Sequence, residues 1–180
     1  MRIIAGDYKG RRLTSPLDNK IRPTTDKVKE AIFSILDSHV GIYGSKVCDL
    51  FAGTGNLGLE ALSRGAEHCW FGDSSRNSLK LLRENIAYCR AEDRSTVLAG
   101  DFRKVLRRIN TPCDVILLDP PYGKGLLPEC FELIGELGLL AEDGVLVAEH
   151  RKEEVLPEHM ANFSKIKERK YGTVVISIYG

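Results

Sequence analysis

The chain has 180 residues, a formal net charge of +1 and 43% hydrophobic residues, which suits one compact domain with its own core. No charged segment followed by an apolar run opens the sequence, and no stretch approaches the roughly 20 apolar residues that span a bilayer. The five cysteines and four histidines are widely spaced, which argues against a disulfide framework and a zinc cluster. We therefore expect a soluble cytoplasmic protein without a metal.

Basic residues are concentrated at the start of the chain. Residues 1–29 contain eight Lys or Arg residues and three acids, so they carry +5 and the remaining residues carry −4. Lysine and arginine can bind nucleic-acid phosphates without reading the base sequence. A solvated surface is the commoner explanation of such a charge imbalance, and charge alone leaves nucleic-acid binding open as the alternative.

The first 40 residues predict a small β-hairpin followed by a helix. Segments 2–5 and 11–13 flank a turn with glycines at both ends, at residues 6–10. A helix should begin after Pro23, because capping residues and then apolar residues at helical spacing follow it. These residues are Thr24, Thr25, Val28, Ile32, Ile35 and Leu36.

From residue 46 onwards, strands and helices alternate in the pattern of a parallel sheet. The predicted strands are 47–51, 69–72, 96–98, 115–118 and 145–148, and the helices between them are centred near residues 60, 82, 105 and 136. Segments 165–170 and 173–179 have no helix between them and should pair antiparallel. The sequence therefore predicts an α/β fold with a seven-stranded, mostly parallel sheet that ends in a C-terminal antiparallel hairpin.

A glycine-rich loop follows the first of these strands, where residues 49–58 read Asp-Leu-Phe-Ala-Gly-Thr-Gly-Asn-Leu-Gly. The glycines fit the G-x-G-x-x-G pattern of nucleotide-binding folds, and Asp73 ends the next strand, where it could bind a ribose. Asp49 favours S-adenosylmethionine over a nicotinamide cofactor, because a carboxylate there would bind an ammonium group but repel a pyrophosphate. The alternative is that Asp49 caps a turn and the glycines only bend the chain.

Two further aspartates have a structural alternative of the same kind. Asp73 could be the N-cap of the helix that follows Ser74 and Ser75, and it could also serve both purposes. Asp101 ends the third strand, where an adenine would lie in this fold, or it caps the helix that starts at Phe102. The sequence does not decide between the two roles of Asp101.

A second motif, Asp119-Pro120-Pro121-Tyr122, directly follows the buried strand 115–118. An amine on an aromatic base is a poor nucleophile, because its lone pair is delocalised into the ring. The Asp119 carboxylate and the Pro120 carbonyl could accept its hydrogens and direct the lone pair at a methyl sulfonium, so that catalysis is mainly positioning. Tyr122 could stack on a base that has left its helix or loop. In isolation this motif would be an ordinary proline turn.

The chain resembles the bacterial methyltransferases that modify a guanine N2 in small-subunit (16S) ribosomal RNA. The resemblance covers nearly the whole chain and is carried by residues 2–13, 22–33, 49–58 and 119–122. The first two segments are specific to this family, whereas the last two occur in many amino-methyltransferases. The resemblance implies a class I methyltransferase (Rossmann-like) sheet, S-adenosylmethionine as donor with S-adenosylhomocysteine as product, and action on small subunits or their assembly intermediates. It also implies a single domain, residues 1–180, in which residues 1–40 form an RNA-contacting extension.

Position by position, the resemblance assigns three groups of residues. The cofactor-binding residues are Asp49, Phe51, Ala52, Gly53, Thr54, Gly55, Asp73, Asp101 and Phe102. The residues that bind the target amine are Asp119, Pro120, Pro121 and Tyr122. The residues expected between cofactor and RNA are Arg22, Thr24 and Thr25, and we expect Arg11 and Arg12 on the hairpin to contact phosphate.

The sequence departs from the family at two places. Relatives usually carry a glutamate and a charged pair where this chain has Asp73-Ser74-Ser75, so a shorter side chain must reach the ribose. The segment Gly123-Lys124-Gly125 either closes over substrate or only starts the next helix.

Other function classes explain fewer of these features. A nicotinamide dehydrogenase accounts for the glycine loop alone. A catalytically silent RNA-binding assembly factor accounts for the basic segment but needs no cofactor. DNA adenine and protein glutamine present a similar planar amine, so only the N-terminal half of the chain favours RNA guanine.

Overall fold

The computed structural model describes residues 1–16 and 24–180, and Arg22 lies outside them. The helices are α1 (Asp26–His39), α2 (Asn56–Ser63), α3 (Arg76–Tyr88), α4 (Phe102–Arg108) and α5 (Leu127–Leu137), with a 3-10 turn at Glu92–Arg94. The strands are β1 (Lys46–Asp49), β2 (His68–Asp73), β3 (Ser95–Ala99), β4 (Cys113–Leu118), β5 (Leu140–Arg151), β6 (His159–Met160), β7 (Phe163–Tyr171) and β8 (Val174–Tyr179). None of the described helices is long and apolar enough to cross a membrane.

The strands form one sheet in the order β3-β2-β1-β4-β5-β8-β7-β6. Strands β1 to β5 are parallel, and β8, β7 and β6 are added antiparallel. The predicted α/β class and the antiparallel C-terminal hairpin are therefore confirmed. The two-residue strand β6 is an addition that the sequence pattern did not indicate.

Two elements have bounds other than those predicted, and α5, expected to be centred near residue 136, already ends at Leu137 before the C-cap Gly138. Helix α5 begins at Leu127, because a proline in its first turn is compatible with helical backbone and needs no hydrogen-bond donor there. Strand β5 begins at Leu140, which pairs with Cys113 ahead of a register irregularity in β4. These extensions lengthen the elements without changing the topology.

The sheet separates two hydrophobic cores. The N-terminal segment (residues 1–16), α1, α2 and α3 cover one face, while α4 and α5 cover the other. All five cysteines are free and buried; Cys69 and Cys89 lie in the first core, and Cys48, Cys113 and Cys130 lie in the second. Burial raises the pKa of each of these thiols.

The N-terminal segment folds back on itself and packs against α2. Arg2 and Arg12 form an antiparallel bridge, and the Gly10 amide donates to the Ile3 carbonyl at 2.9 Å. Gly6 has a φ of +86°, and a Cβ there would lie 1.9 Å from the Ser63 carbonyl oxygen, so this contact requires glycine. The predicted hairpin is thus a short pairing that is closely docked on the domain.

A buried ion cluster attaches this segment to the domain. The Lys29 Nζ of α1 lies 3.1 Å from Glu60 Oε1 of α2, and both side chains are at most 1% exposed. Glu60 also accepts from Arg64 at 2.9 Å and from the backbone amides of Ile4 and Ala5 at 2.8 and 3.1 Å. The Lys29 Nζ in addition donates to the Asn56 side chain at 2.8 Å. The carboxylate of Glu60 is therefore compensated by two cations and two amides.

Candidate functional site

A large cavity opens at the carboxyl edge of the sheet. The strand order changes direction between β1 and β4, which are adjacent and parallel, and such a switch point is where open α/β sheets bind ligands. The cavity has a volume of about 780 Å³ within the described residues. Its lining includes Met1, Thr24, Asp49, Phe51, Ala52, Gly53, Thr54, Asp73, Asp101, Phe102, Asp119, Pro120, Pro121, Tyr122 and Lys124.

The fold thus brings together most of the residues singled out from the sequence. Eight of the nine expected cofactor residues and all four residues of the second motif line one cavity. Gly55 does not line it; with a φ of +96°, this residue is instead the N-cap of α2. Lys124, from the segment 123–125, also lines the cavity.

Asp49, at the end of β1, is buried at the bottom of the glycine loop. Its Oδ2 accepts a hydrogen bond of 2.9 Å from the Gly58 amide in the first turn of α2. Gly55 has no side chain to cap this helix, so the carboxylate of Asp49 supplies the missing acceptor. Burial, followed by the nearby charge of Asp73, raises the pKa of Asp49 to about 7, against the opposing effect of the Gly58 amide. Asp49 therefore caps α2, and it also lines the cavity.

The third glycine of the loop allows helix α2 to approach the sheet. A Cβ on Gly58 would lie 2.3 Å from the Phe71 ring and 2.8 Å from Cys69 Sγ, both on β2. The absence of a side chain therefore lets the start of α2, with its amide directed at Asp49, lie directly on the sheet.

Asp73 holds the glycine loop in place. Its Oδ2 accepts from the Gly53 amide at 2.8 Å, and its Oδ1 accepts from the Ser75 amide at 2.9 Å. The N-cap of α3 is Ser75, whose hydroxyl accepts from the Ser78 amide. Asp73 therefore connects the ends of β1 and β2 rather than capping the helix.

Asp101 is the N-cap of α4 and also lines the cavity. Its side chain accepts from the Arg103 amide at 2.9 Å and forms an ion pair with the Arg103 guanidinium at 3.0 Å. The Arg103 amide, and then its guanidinium, lower the pKa of Asp101. Beside it, the rings of Phe51 and Phe102 lie 5.7 Å apart and give this part of the cavity an apolar wall. Both roles considered for Asp101 are geometrically compatible.

The second motif lies beside Glu149 of β5, a carboxyl group that was not singled out from the sequence. Asp119 and Tyr122 both interact with it, and the Thr24 hydroxyl donates to its Oε2 at 3.1 Å. Burial raises the pKa of Asp119 well above its ordinary value, and the charges of Glu149 and Asp49 add to this effect. Burial also raises the pKa of Glu149.

The position of Glu149 follows from strand register. Leu118 of β4 pairs with Ala148 of β5, so the residues after them, Asp119 and Glu149, emerge side by side at the same edge. The signal in the sequence is a charged residue directly after the apolar run 145–148. It is informative only once β4 and β5 are known to be neighbours.

A smaller groove of about 330 Å³ adjoins the cavity. It shares Thr24 and Tyr122 with the cavity, and its other lining residues are Thr25, Lys27, Val28, Glu149, Tyr171, Gly172, Thr173 and Val174. The Arg151 guanidinium lies 4.8 Å from the centre of the Tyr122 ring. The groove runs from the second motif towards the turn between β7 and β8.

The two hairpin arginines have different surroundings, and neither lines the cavity. Arg12 is exposed. Arg11 is half-buried, and its guanidinium lies 5.2 Å from the centre of the Tyr8 ring. Thr24 and Thr25 lie at the groove, with Thr25 capping α1 through a 3.3 Å bond from the Val28 amide.

Comparisons with known proteins agree with this architecture. The family described as conserved hypothetical protein 95 matches residues 1–180. YlbH of Bacillus subtilis, provisionally named an rRNA methyltransferase, is 38% identical over 99% of this chain and 98% of that protein. Ribosomal RNA small subunit methyltransferase D of Escherichia coli is 35% identical over 99% of this chain and 89% of that protein.

The fold has a similarly extensive match. A solved structure of Escherichia coli yhhF, provisionally named a methyltransferase, is 34% identical with a TM-score of 0.88, and the match covers 99% of this chain and 96% of that one. The glycine loop, the second motif and the N-terminal segment all lie within these matches. The chain therefore belongs to the conserved hypothetical protein 95 family, that of ribosomal RNA small subunit methyltransferase D.

Proposed function

We propose that the protein transfers a methyl group from S-adenosylmethionine to the exocyclic N2 of a guanine in 16S ribosomal RNA. The observation that carries this proposal is the meeting of Asp49 and the Asp119–Tyr122 motif in one switch-point cavity. The relatives named for ribosomal RNA methylation support the substrate.

The cavity fits S-adenosylmethionine in size and in the chemistry of its donors and acceptors. A volume of about 780 Å³ lies within the usual range for small-molecule sites, about 300–1,000 Å³. Asp49 would bind the ammonium group, and Asp73, whose oxygens each retain a lone pair beyond the amide bonds, would accept from the ribose hydroxyls. Phe51, Asp101 and Phe102 would surround the adenine. The bound cofactor supplies a methyl group on a positively charged sulfur.

The second motif would position the target amine. The Asp119 carboxyl and the Pro120 carbonyl accept its two hydrogens, which orients the nitrogen lone pair towards the methyl group. Proline restricts the backbone at both central positions, so the acceptors are fixed before substrate arrives. Tyr122, stabilised by Arg151 and Glu149, offers a ring against which the flipped base stacks.

The N-terminal extension, residues 1–40 of a single domain, would contact the RNA. Met1 and Thr24 bring this extension to the cavity, and Arg12 presents an exposed cation. Arg11, Arg22 and Thr25 are the further RNA-contacting residues of the proposal, and the partner is the small ribosomal subunit or an assembly intermediate of it in the cytoplasm.

The test is methyl transfer from isotope-labelled S-adenosylmethionine to small subunits from a strain that lacks the modification. Nucleoside digestion and mass spectrometry should find labelled N2-methylguanosine, and Asp119→Ala should lower the rate by about 100-fold or more because the amine loses its acceptor. Label on another nucleoside would contradict the guanine assignment. Cofactor binding without any RNA label would point to DNA or protein, and absence of cofactor binding would favour the assembly-factor alternative.

A further inference from the structure

Glu149 joins three parts of the site through one buried carboxyl group. It is 5% exposed, accepts a hydrogen bond from Thr24 of the N-terminal extension, emerges beside Asp119 through the strand register and interacts with Asp119 and Tyr122 from the loop after β4. Such a group orders its neighbours, because each interaction restricts a side chain that would otherwise rotate.

The contact between Asp119 and Glu149 also restricts the protonation states of the two carboxyl groups. Two ionised carboxylates only accept hydrogen bonds, so a bond between them needs a proton on one of the two groups. Carboxyl groups held this close in a buried site cannot both ionise readily. Hence Glu149 affects both the orientation of Asp119 and whether Asp119 is charged.

We propose that Glu149 is a positioning residue for the amine-binding motif, which orients Asp119 and Tyr122, connects them to Thr24 and sets the protonation of Asp119. This inference rests on the proposed function for its role in methyl transfer, but its effect on Asp119 can be measured without any RNA. Glu149 itself need not touch the reacting atoms.

Other groups near the pair affect its charge. Asp49 of β1 faces Asp119, and its negative charge favours the protonated form. Lys27 of α1 and Tyr171 of β7 line the same groove as Glu149, and Arg151 reaches the pair through Tyr122. None of these groups changes in a Glu149 variant, so a shift in the titration of Asp119 reports on Glu149.

The decisive variant is Glu149→Gln, which preserves size and removes the charge. Its amide can donate to Asp119 and its carbonyl can accept from Thr24, so the geometry is largely retained. Asp119 then lies beside a donor rather than a second acid and should ionise at lower pH. Glu149→Ala removes all three interactions, and Glu153→Gln on the exposed surface is the matched control.

The first measurement is a carboxyl ¹³C NMR titration of the cofactor-free protein. The Asp119 resonance should titrate at lower pH in Glu149→Gln than in the wild type and should be unchanged in Glu153→Gln. An unchanged Asp119 titration in Glu149→Gln would overturn the proposal, whether or not RNA is the substrate.

The second measurement is methyl transfer as a function of pH. Glu149→Gln should shift the acidic limb of kcat to lower pH, and Glu149→Ala should lower kcat by about 100-fold with S-adenosylmethionine affinity within about twofold of the wild type. Equal kcat in Glu149→Ala and wild type would overturn the positioning role. A wild type that methylates no RNA would instead refute the proposed function and leave the NMR result to decide the effect on Asp119.

Discussion

Within residues 1–16 and 24–180, carboxyl groups are withdrawn from water in two places that differ in how the charge is compensated. Glu60, under the N-terminal segment, lies against Lys29 and Arg64 and accepts two backbone amides. At the cavity, Asp49 is buried and Asp119 is partly buried, yet neither forms an ion pair with a Lys or Arg among residues 1–16 and 24–180. The pKa of each of these two aspartates is raised accordingly.

This difference separates Glu60, which has a structural role, from Asp49 and Asp119, which can bind a cation or donor of a ligand. A buried charge that the protein already compensates stabilises one conformation, whereas an uncompensated one lowers stability until a cation or a donor binds. The ammonium group of S-adenosylmethionine and the target amine would supply what Asp49 and Asp119 lack. Three predictions test this comparison, and a fourth concerns the arginines of the N-terminal segment.

The largest expected effect is the loss of stability when Glu60 loses one of its two cations. Lys29→Met leaves Glu60 buried with Arg64 as its remaining cation and removes the donor to the Asn56 side chain, so we expect the free energy of unfolding to fall by about 5 kcal/mol. Denaturant unfolding measures it, with the exposed Lys27→Met on the same helix as control. Adding Glu60→Gln should recover part of the loss. Wild-type stability in Lys29→Met would show that Glu60 needs no such compensation.

At the cavity, removing the charge of Asp49 should raise the free energy of unfolding rather than lower it. The pKa of Asp49 is about 7 in the folded protein against 3.8 for an ordinary aspartate, so the stability it contributes is lost as pH rises through this interval. Asp49→Asn keeps an acceptor for the Gly58 amide and should raise the free energy of unfolding at pH 8 by up to about 4 kcal/mol. Below about pH 4 the gain should vanish.

Denaturant unfolding at pH 8 and near pH 4 checks the Asp49 prediction. Asp93→Asn, which changes an exposed aspartate, is the control and should be neutral at both values. A destabilised Asp49→Asn protein at pH 8 would mean that Asp49 is a compensated acid like Glu60.

The affinity for S-adenosylmethionine should depend on the ionisation of Asp49. Because an ammonium group binds the ionised carboxylate, the affinity for S-adenosylmethionine should fall by about tenfold for each pH unit below 7. Calorimetric titration between pH 6 and 8 measures it. Asp49→Asn should bind weakly with no such dependence, and a steep pH dependence in this variant would assign the ionisation to another group.

The smallest expected effects are those of replacing Arg11 or Arg12 of the N-terminal segment, and they should differ between the two residues. Arg12→Ala should weaken RNA binding a few-fold and reduce the salt dependence of log K by about one unit of slope, since an exposed cation contacts phosphate. Arg11→Ala should weaken RNA binding less than Arg12→Ala does and mainly lower the melting temperature, because Arg11 also packs on Tyr8. Filter binding over a salt series and thermal unfolding separate these outcomes, and a reversed result would exchange the two roles.

The sequence was sufficient for the elements and motifs with strong local patterns. The glycine loop and the Asp-Pro-Pro-Tyr motif each follow an apolar strand, and parallel strands bring their carboxyl ends to one edge. The family expected from residues 2–13 and 22–33 is confirmed by the whole-chain matches. The individual site roles stay predictions.

What the sequence could not supply depends on contacts between distant elements. Glu149 becomes significant only through its register beside Asp119, and Asn85 of α3 accepts from Thr14 at 2.8 Å while donating to the Thr54 carbonyl at 2.9 Å. Arg11 and Arg12 are adjacent and chemically identical, so packing alone distinguishes them. None of these contacts has a local pattern.

The placement of the five cysteines gives the protein two intrinsic reporters of local opening. Alkylation of a buried thiol requires its surroundings to open, because a protonated and inaccessible sulfur does not react. Cys69 and Cys89 would be modified when the face under the N-terminal extension opens, and Cys48, Cys113 and Cys130 when the α4–α5 face does. Pulsed alkylation read by peptide mass spectrometry can thus follow how RNA or cofactor stabilises each face, without an introduced label.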